Sequence, residues 1–133
     1  MMTDQLTTVQ IRRVLTIGGG SLPPFVSHLS PSVAFYSLDL RQSTLLDTAQ
    51  HICADPLDMP LVDNTFAVVY AGYLISQTSQ ERAYRIAEEA YRILQPDGLF
   101  IFNAKQCIFF ESVGFRDVQC IQYGTRSMII ARK

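Results

Sequence analysis

Gly18, Gly19 and Gly20 stand in an unbroken triplet between an apolar run, residues 11–17 (IRRVLTI), and the pair Pro23-Pro24. Glycines after such a run let the backbone approach a ligand closely, and a helix starting there aims free N–H groups at it. Asp39 follows 21 residues after Gly18, at the end of a second apolar run. A carboxylate so placed can accept both hydroxyls of a ribose. Asp55 opens the stretch DPLDMPLVDN, with Pro56 and Leu57 beside it. Such an acid can accept from the exocyclic amine of an adenine while an apolar neighbour packs on the ring. Each feature has a plainer reading too: a tight turn, a solvated strand end, the first residue of a turn. Together the glycines and Asp39 point to a nucleoside-bearing ligand.

Positioning these groups requires strands that end just before them. Residues 11–17, 33–39, 51–54 and 65–71 read as four mostly apolar strands, as strands covered on both faces should. Helices are expected from Pro23 to about Leu29, where Phe25, Val26 and Leu29 form an apolar face, and around 43–49. Thr78-Ser79-Gln80-Glu81 fits a capping box that opens a longer helix reaching about Leu94. Its inward face is Ala83, Ile86, Ala87, Ala90 and Ile93 or Leu94, with Glu81–Arg85 and Glu88–Arg92 as exposed pairs. Pro96-Asp97-Gly98 turns into a fifth strand at 99–103, and a short helix ends at Gly114. Runs at about 117–122 and 127–131 flank Gly124-Thr125 and read as a closing hairpin. Alternating strands and helices imply right-handed crossovers and a mainly parallel sheet, and the hairpin makes the last strand antiparallel. The 133 residues read as one domain without internal repeats.

Composition limits the partners. Net charge is −1, charged residues are only 17%, and Lys105 and Lys133 are the only lysines. No basic stripe exists to track phosphates, so no nucleic acid is expected. No apolar run approaches a membrane span and no apolar segment follows a basic start, so a cytoplasmic protein away from membranes is expected. Cys53, Cys107 and Cys120 lie far apart and His28 and His51 stand alone. Three free thiols and no metal site are expected.

The chain resembles the class I S-adenosylmethionine-dependent methyltransferases over nearly its whole length. VLTIGGGS is similar to the family's glycine-rich first motif, and FYSLDL to its second strand with the ribose-binding acid. ADPLDMPLVDNTFAVVY resembles the segment that leads into and forms the fourth strand. AYRILQPDGLFIF matches the helix-turn-strand that follows, and ESVGFRDV the start of the closing hairpin. The resemblance implies a Rossmann-like, three-layer αβα fold with strand order 3-2-1-4-5-7-6 and strand 7 antiparallel. It also implies S-adenosyl-L-methionine as cofactor. Gly18 and Gly20 would line its methionine and ribose portions, Asp39 would take the ribose hydroxyls, and Leu40 would lie against adenine. Asp55 and Leu57 would hold adenine, and Ala71-Gly72 would pass the sulfonium end.

The chain departs from the family pattern at several points. Thr16 stands where an acid usually precedes the glycines, Leu22 takes the third glycine position, and Ala67 replaces the usual fourth-strand aspartate. The stretch YLIS, residues 73–76, lacks the histidine many members show, so Tyr73 is the candidate phenol for polarising an acceptor, with Ser76 a weaker one. About a dozen residues precede the first strand and about ten separate the fifth strand from Gly114. A helical lid and a substrate insertion are therefore not expected. Apolar surface at the cofactor mouth and at Cys107 to Phe110 then predicts a homodimer or another covering subunit. Two functions stay open: methyl transfer to a small-molecule acceptor, and a non-catalytic or cofactor-sensing binding module acting as a protein partner. A nicotinamide-binding Rossmann domain is a third, set back because GGGSLP lacks the third glycine of GxGxxG.

Overall fold

A computed structural model describes residues 11–18, 29, 31–40, 50–105 and 110–133. Seven strands make one sheet: β1 (Arg13–Ile17), β2 (Ala34–Asp39), β3 (Gln50–Cys53), β4 (Phe66–Gly72), β5 (Leu94–Ala104), β6 (Arg116–Tyr123) and β7 (Arg126–Arg132). Their order is β3-β2-β1-β4-β5-β7-β6. The pairs β1–β2, β1–β4, β2–β3 and β4–β5 are parallel, while β7 runs antiparallel to both β5 and β6. This is the order the family resemblance implies. The fifth strand begins earlier than expected, because Leu94 already pairs with Phe66 before the Pro96–Gly98 excursion.

Alternation along the strands separates two buried faces. Leu15, Val69, Phe100, Phe102 and Ile129 meet the helix on one side, while Val14, Val68, Leu99, Ile101 and Ile130 are buried on the other. Burial on both faces is what a three-layer arrangement requires. The helix α1 (Gln80–Ile93) turns Ala83, Ile86, Ala87, Ala90 and Ile93 inward, as its periodicity predicts. Burying a side chain such as Ile86 contributes roughly 1.5–3 kcal/mol. The helices expected at 23–29 and 43–49 fall almost wholly outside the described residues, apart from Leu29, which packs on the second face. In the stretch expected as the last short helix, the described residues Glu111–Val113 form a 3₁₀ turn.

Two expectations about α1 need correction. Its N-cap is Ser79, whose hydroxyl accepts from the Arg82 N–H, so the helix starts one residue later than a Thr78–Glu81 box would place it. Arg92 pairs with Glu89 and Asp63 rather than with Glu88. Past the helix, aromatic rings fill the core. Phe115 stacks on Phe100 and meets Tyr91 edge-on, and Tyr84 meets Phe110 edge-on. Gly114 has φ +124°, and a Cβ there would stand 2.9 Å from the Tyr91 ring, so the chain can turn under that ring only as glycine. Phe110 is buried, which removes it from the apolar surface expected near Cys107; Cys107, Ile108 and Phe109 lie outside the described residues.

Lys133 ties the end of α1 to the sheet. Its Nζ donates to Leu94 O and Asn64 Oδ1, both at 2.8 Å, and burial holds its pKa below the ordinary lysine value. Cys53 is an exposed free thiol. Cys120 is disulfide-bonded, which corrects the expectation of three free thiols. No described helix is long and apolar enough to cross a membrane.

Candidate functional site

In an open parallel sheet the ligand crevice lies outside the carboxyl ends of the strands, where the strand order reverses. Here that point falls between β1 and β4. Gly18 follows β1 with φ +90°, a conformation that glycine takes without strain, and its N–H donates to Leu38 O at 2.9 Å. A cavity of about 180 Å³ opens beside it, lined among others by Thr16, Gly18, Ala71, Gly72, Tyr73 and Gln77. Gly18, Ala71 and Gly72 thus line one cavity. Gly20 lies outside the described residues. Thr16 is 3% exposed, and its hydroxyl donates to Tyr36 O at 3.5 Å, a contact at the outer limit of a hydrogen bond.

The remaining expected residues sit along the same sheet edge but do not line this cavity. Asp39 ends β2 half-buried, and its carbonyl accepts from Ala54 N–H at 3.0 Å, which puts Asp39 beside the start of the 55–64 loop. Leu40 is 62% exposed next to it, an apolar side chain left in solvent beside a carboxylate. Asp55 is exposed and Oδ1 accepts from Leu57 N–H at 2.9 Å, so one carboxylate oxygen shapes its own turn and Leu57 packs partly onto the core. The loop is pinned from α1. Met59 N–H donates to Glu89 Oε1 at 2.7 Å, and Arg92 donates to Met59 O, Leu61 O and the Asp63 carboxylate. The hydrogen bond from Arg92 Nε to the Glu89 carboxylate, 2.8 Å, is the main reason Glu89 titrates below the ordinary glutamate value, with the Met59 N–H adding to it and burial opposing both. Among the described residues, no group of three His, Cys, Asp or Glu side chains could hold a metal.

The family model for a methyltransferase domain matches residues 14–102, well over half of the chain. The chain belongs to the methyltransferase domain family. Its sheet is the class I arrangement of that family. Among solved structures, PigF with SAH (S-adenosylhomocysteine) superposes with TM-score 0.71 at 19% identity, over 94% of this chain and 51% of that one. A SAM-dependent methyltransferase from Aquifex aeolicus gives 0.71 at 16% identity, over 97% and 87%. Human N-acetylserotonin methyltransferase in complex with SAM gives 0.73 at 14%, over 98% and 51%. The chain therefore spans about half the length of the first and third of these. At such identities the likeness is one of fold. None of the curated proteins matches the chain.

In this methyltransferase domain a second cavity, about 470 Å³, adjoins the first and shares Tyr73 and Gln77 with it; Ser76, Lys105, Thr125 and Arg126 also line it. The Tyr73 phenol oxygen accepts from Arg126 Nη1 at 2.8 Å, and the guanidinium carbon stands 5.2 Å from the ring centroid. The phenol expected to polarise an acceptor is therefore held by a cation. Ser76 donates its hydroxyl proton to Tyr73 O at 2.9 Å. Sequence reasoning missed Gln77, Lys105 and Arg126. The last was out of reach because only the antiparallel return of β7 against β5 brings it over the end of β4.

Proposed function

We propose that this domain transfers a methyl group from S-adenosyl-L-methionine to a small-molecule acceptor. The observation that carries the reading is the pair of adjoining cavities at the carboxyl end of the sheet, one at the β1–β4 switch point and one beyond it, with Tyr73 and Gln77 as common wall. Two reactants that must meet in line need two pockets that touch.

The residues present fit the cofactor at its nucleoside end. The half-buried Asp39 and the exposed Leu40 together offer a carboxylate and an uncovered apolar surface, the combination that a ribose and an adenine take up. Gly18, Ala71 and Gly72 would flank the sulfonium end, with Thr16 at the floor. When bound, the cofactor supplies a methyl group already activated on a sulfonium. The chain's own part is to align the acceptor and exclude water, which suffices for an acceptor that is already nucleophilic.

Calorimetric titration with S-adenosylhomocysteine tests the reading. Saturable one-to-one binding is expected, and its absence would remove the cofactor site. A non-catalytic binding module is the second reading, favoured by the engaged Tyr73 phenol. Methyl transfer to any of a panel of small nucleophiles decides against it.

One domain across the 133 residues, a homodimer and a cytoplasmic location belong to the same proposal. The disulfide at Cys120 pulls against the last of these. Alkylation of thiols in protein taken directly from cells reads whether that bond exists there.

A further inference from the structure

We propose that the second cavity is an oxyanion subsite, in which Arg126 and Lys105 receive a carboxylate or phosphate group on a small acceptor. This rests on reading the adjoining cavity as the cofactor cleft. The cavity holds about 470 Å³, and two of its seven lining residues are cations while none is an acid. In a chain with only 17% charged residues and a net charge of −1, that concentration of one sign is a departure from the whole.

Three of the other cations are used within the fold. Arg92 is tied to Glu89 and Asp63, Arg116 to Asp97 and Asp117, and Lys133 to Asn64 and the Leu94 carbonyl. Among the described residues, neither Arg126 nor Lys105 has a carboxylate partner. Arg126 is also oriented. One of its five N–H donors is committed to the Tyr73 phenol and its plane is steadied over the ring, which leaves the others for a ligand. A guanidinium held in this way suits a planar or tetrahedral oxyanion, which it meets with two parallel hydrogen bonds. Lys105 adds a point charge beside it, just past the Ala104–Ser127 pair of β5 and β7, and Gln77 and Thr125 add neutral polar groups.

The test is calorimetric titration of the full chain with benzoate, phenyl phosphate and benzyl alcohol, each with and without S-adenosylhomocysteine. Benzoate reads a carboxylate, phenyl phosphate a phosphate, and benzyl alcohol the ring alone. Saturation is expected with at least one of the two anions and not with the alcohol. Arg126→Gln and Lys105→Gln should each weaken it by about tenfold or more, as the loss of a hydrogen bond to a charged group does. Both side chains are exposed, and circular dichroism checks each variant, so Lys105→Gln still decides if Arg126→Gln does not fold. Arg12→Gln, just before β1, should leave anion binding as it was. Equal weakening by that variant would mean general charge attraction and would overturn the proposal. So would binding of S-adenosylhomocysteine with no response to either anion, an outcome that leaves the cofactor reading standing. Anion binding without S-adenosylhomocysteine binding would support the subsite and remove the cofactor reading instead.

Discussion

Glu89 and Arg92 grip the same residue from opposite sides: the carboxylate accepts the N–H of Met59 at 2.7 Å, and the guanidinium donates to its carbonyl at 2.8 Å. The two also bond each other at 2.8 Å across one turn of α1. The loop that carries Asp55 and Leu57 into the site is thereby fastened to the helix behind β4. Arg92→Met should destabilise the fold by about 3–5 kcal/mol, since a carboxylate that is only 4% exposed then loses its counter-charge. Glu89→Gln should cost about 1–3 kcal/mol. Urea denaturation measures both, and an effect under about 0.5 kcal/mol, the ordinary range for surface changes, would show that the loop is held by something else.

Acidification should reproduce part of that loss. The pKa of Glu89 is lower folded than unfolded, because Arg92 and the Met59 N–H favour its charged form. The unfolded chain therefore binds the proton first, and stability rises with pH across this window. The contribution is complete above the ordinary glutamate value of 4.5 and is lost as pH falls through the lower folded value. The stability gap between the unaltered protein and Glu89→Gln should be widest near neutrality and shrink in acid. A gap that stays constant down to pH 3 would contradict the linkage.

Asp39→Ala should weaken S-adenosylhomocysteine binding by about 1.5–3 kcal/mol, through the loss of a charge-assisted contact to ribose. Calorimetry reads it directly. Unchanged affinity would move the nucleoside elsewhere.

Thr16 makes a sharper test because it is buried. Thr16→Asp puts a carboxylate at a position only 3% exposed, beside the Tyr36 carbonyl, so the ligand-free protein should melt lower. An ammonium arriving with the cofactor would compensate that charge. The variant should therefore bind S-adenosylhomocysteine more tightly and show a larger ligand-induced rise in Tm. A lower Tm without tighter binding would mean that the ammonium does not reach Thr16.

A homodimer should appear in light scattering at micromolar concentration. Among the described residues the large apolar side chains left exposed are Leu40, Val62 and Tyr73, while Phe110 is spent inside the core. A particle of 15 kDa would remove the dimer.

The strands were legible because a sheet covered on both faces needs continuous apolar runs, and VLTI, FAVVYA and LFIF are such runs. The same logic found the inward stripe of α1. It failed at Glu89, which lies beside that stripe: an acid three residues before an arginine looks like one more surface pair until the loop it holds is in place. Helix-cap chemistry was visible but off by one residue, since Thr78 and Ser79 are both able caps and only the path of the chain chooses Ser79. At the site, Gly18 stood out by its place after an apolar run, while Ala71 and Gly72 were named only through the family resemblance. Arg126 and Lys105 did not stand out, because their meeting depends on how far β7 runs back along β5, a register that no local pattern encodes.

Tyr73 belongs to the walls of both cavities, so a ligand that shifts it in one would be felt in the other. An occupant that engages Arg126 would act on the phenol the guanidinium holds, and through it on the neighbouring pocket. Whatever factor one ligand applies to the affinity of the other must be returned in equal measure. The chain has no tryptophan, so tyrosine dominates its ultraviolet emission. Six tyrosines share that emission, so the part that a Tyr73→Phe variant loses is the native optical reporter of the shared wall.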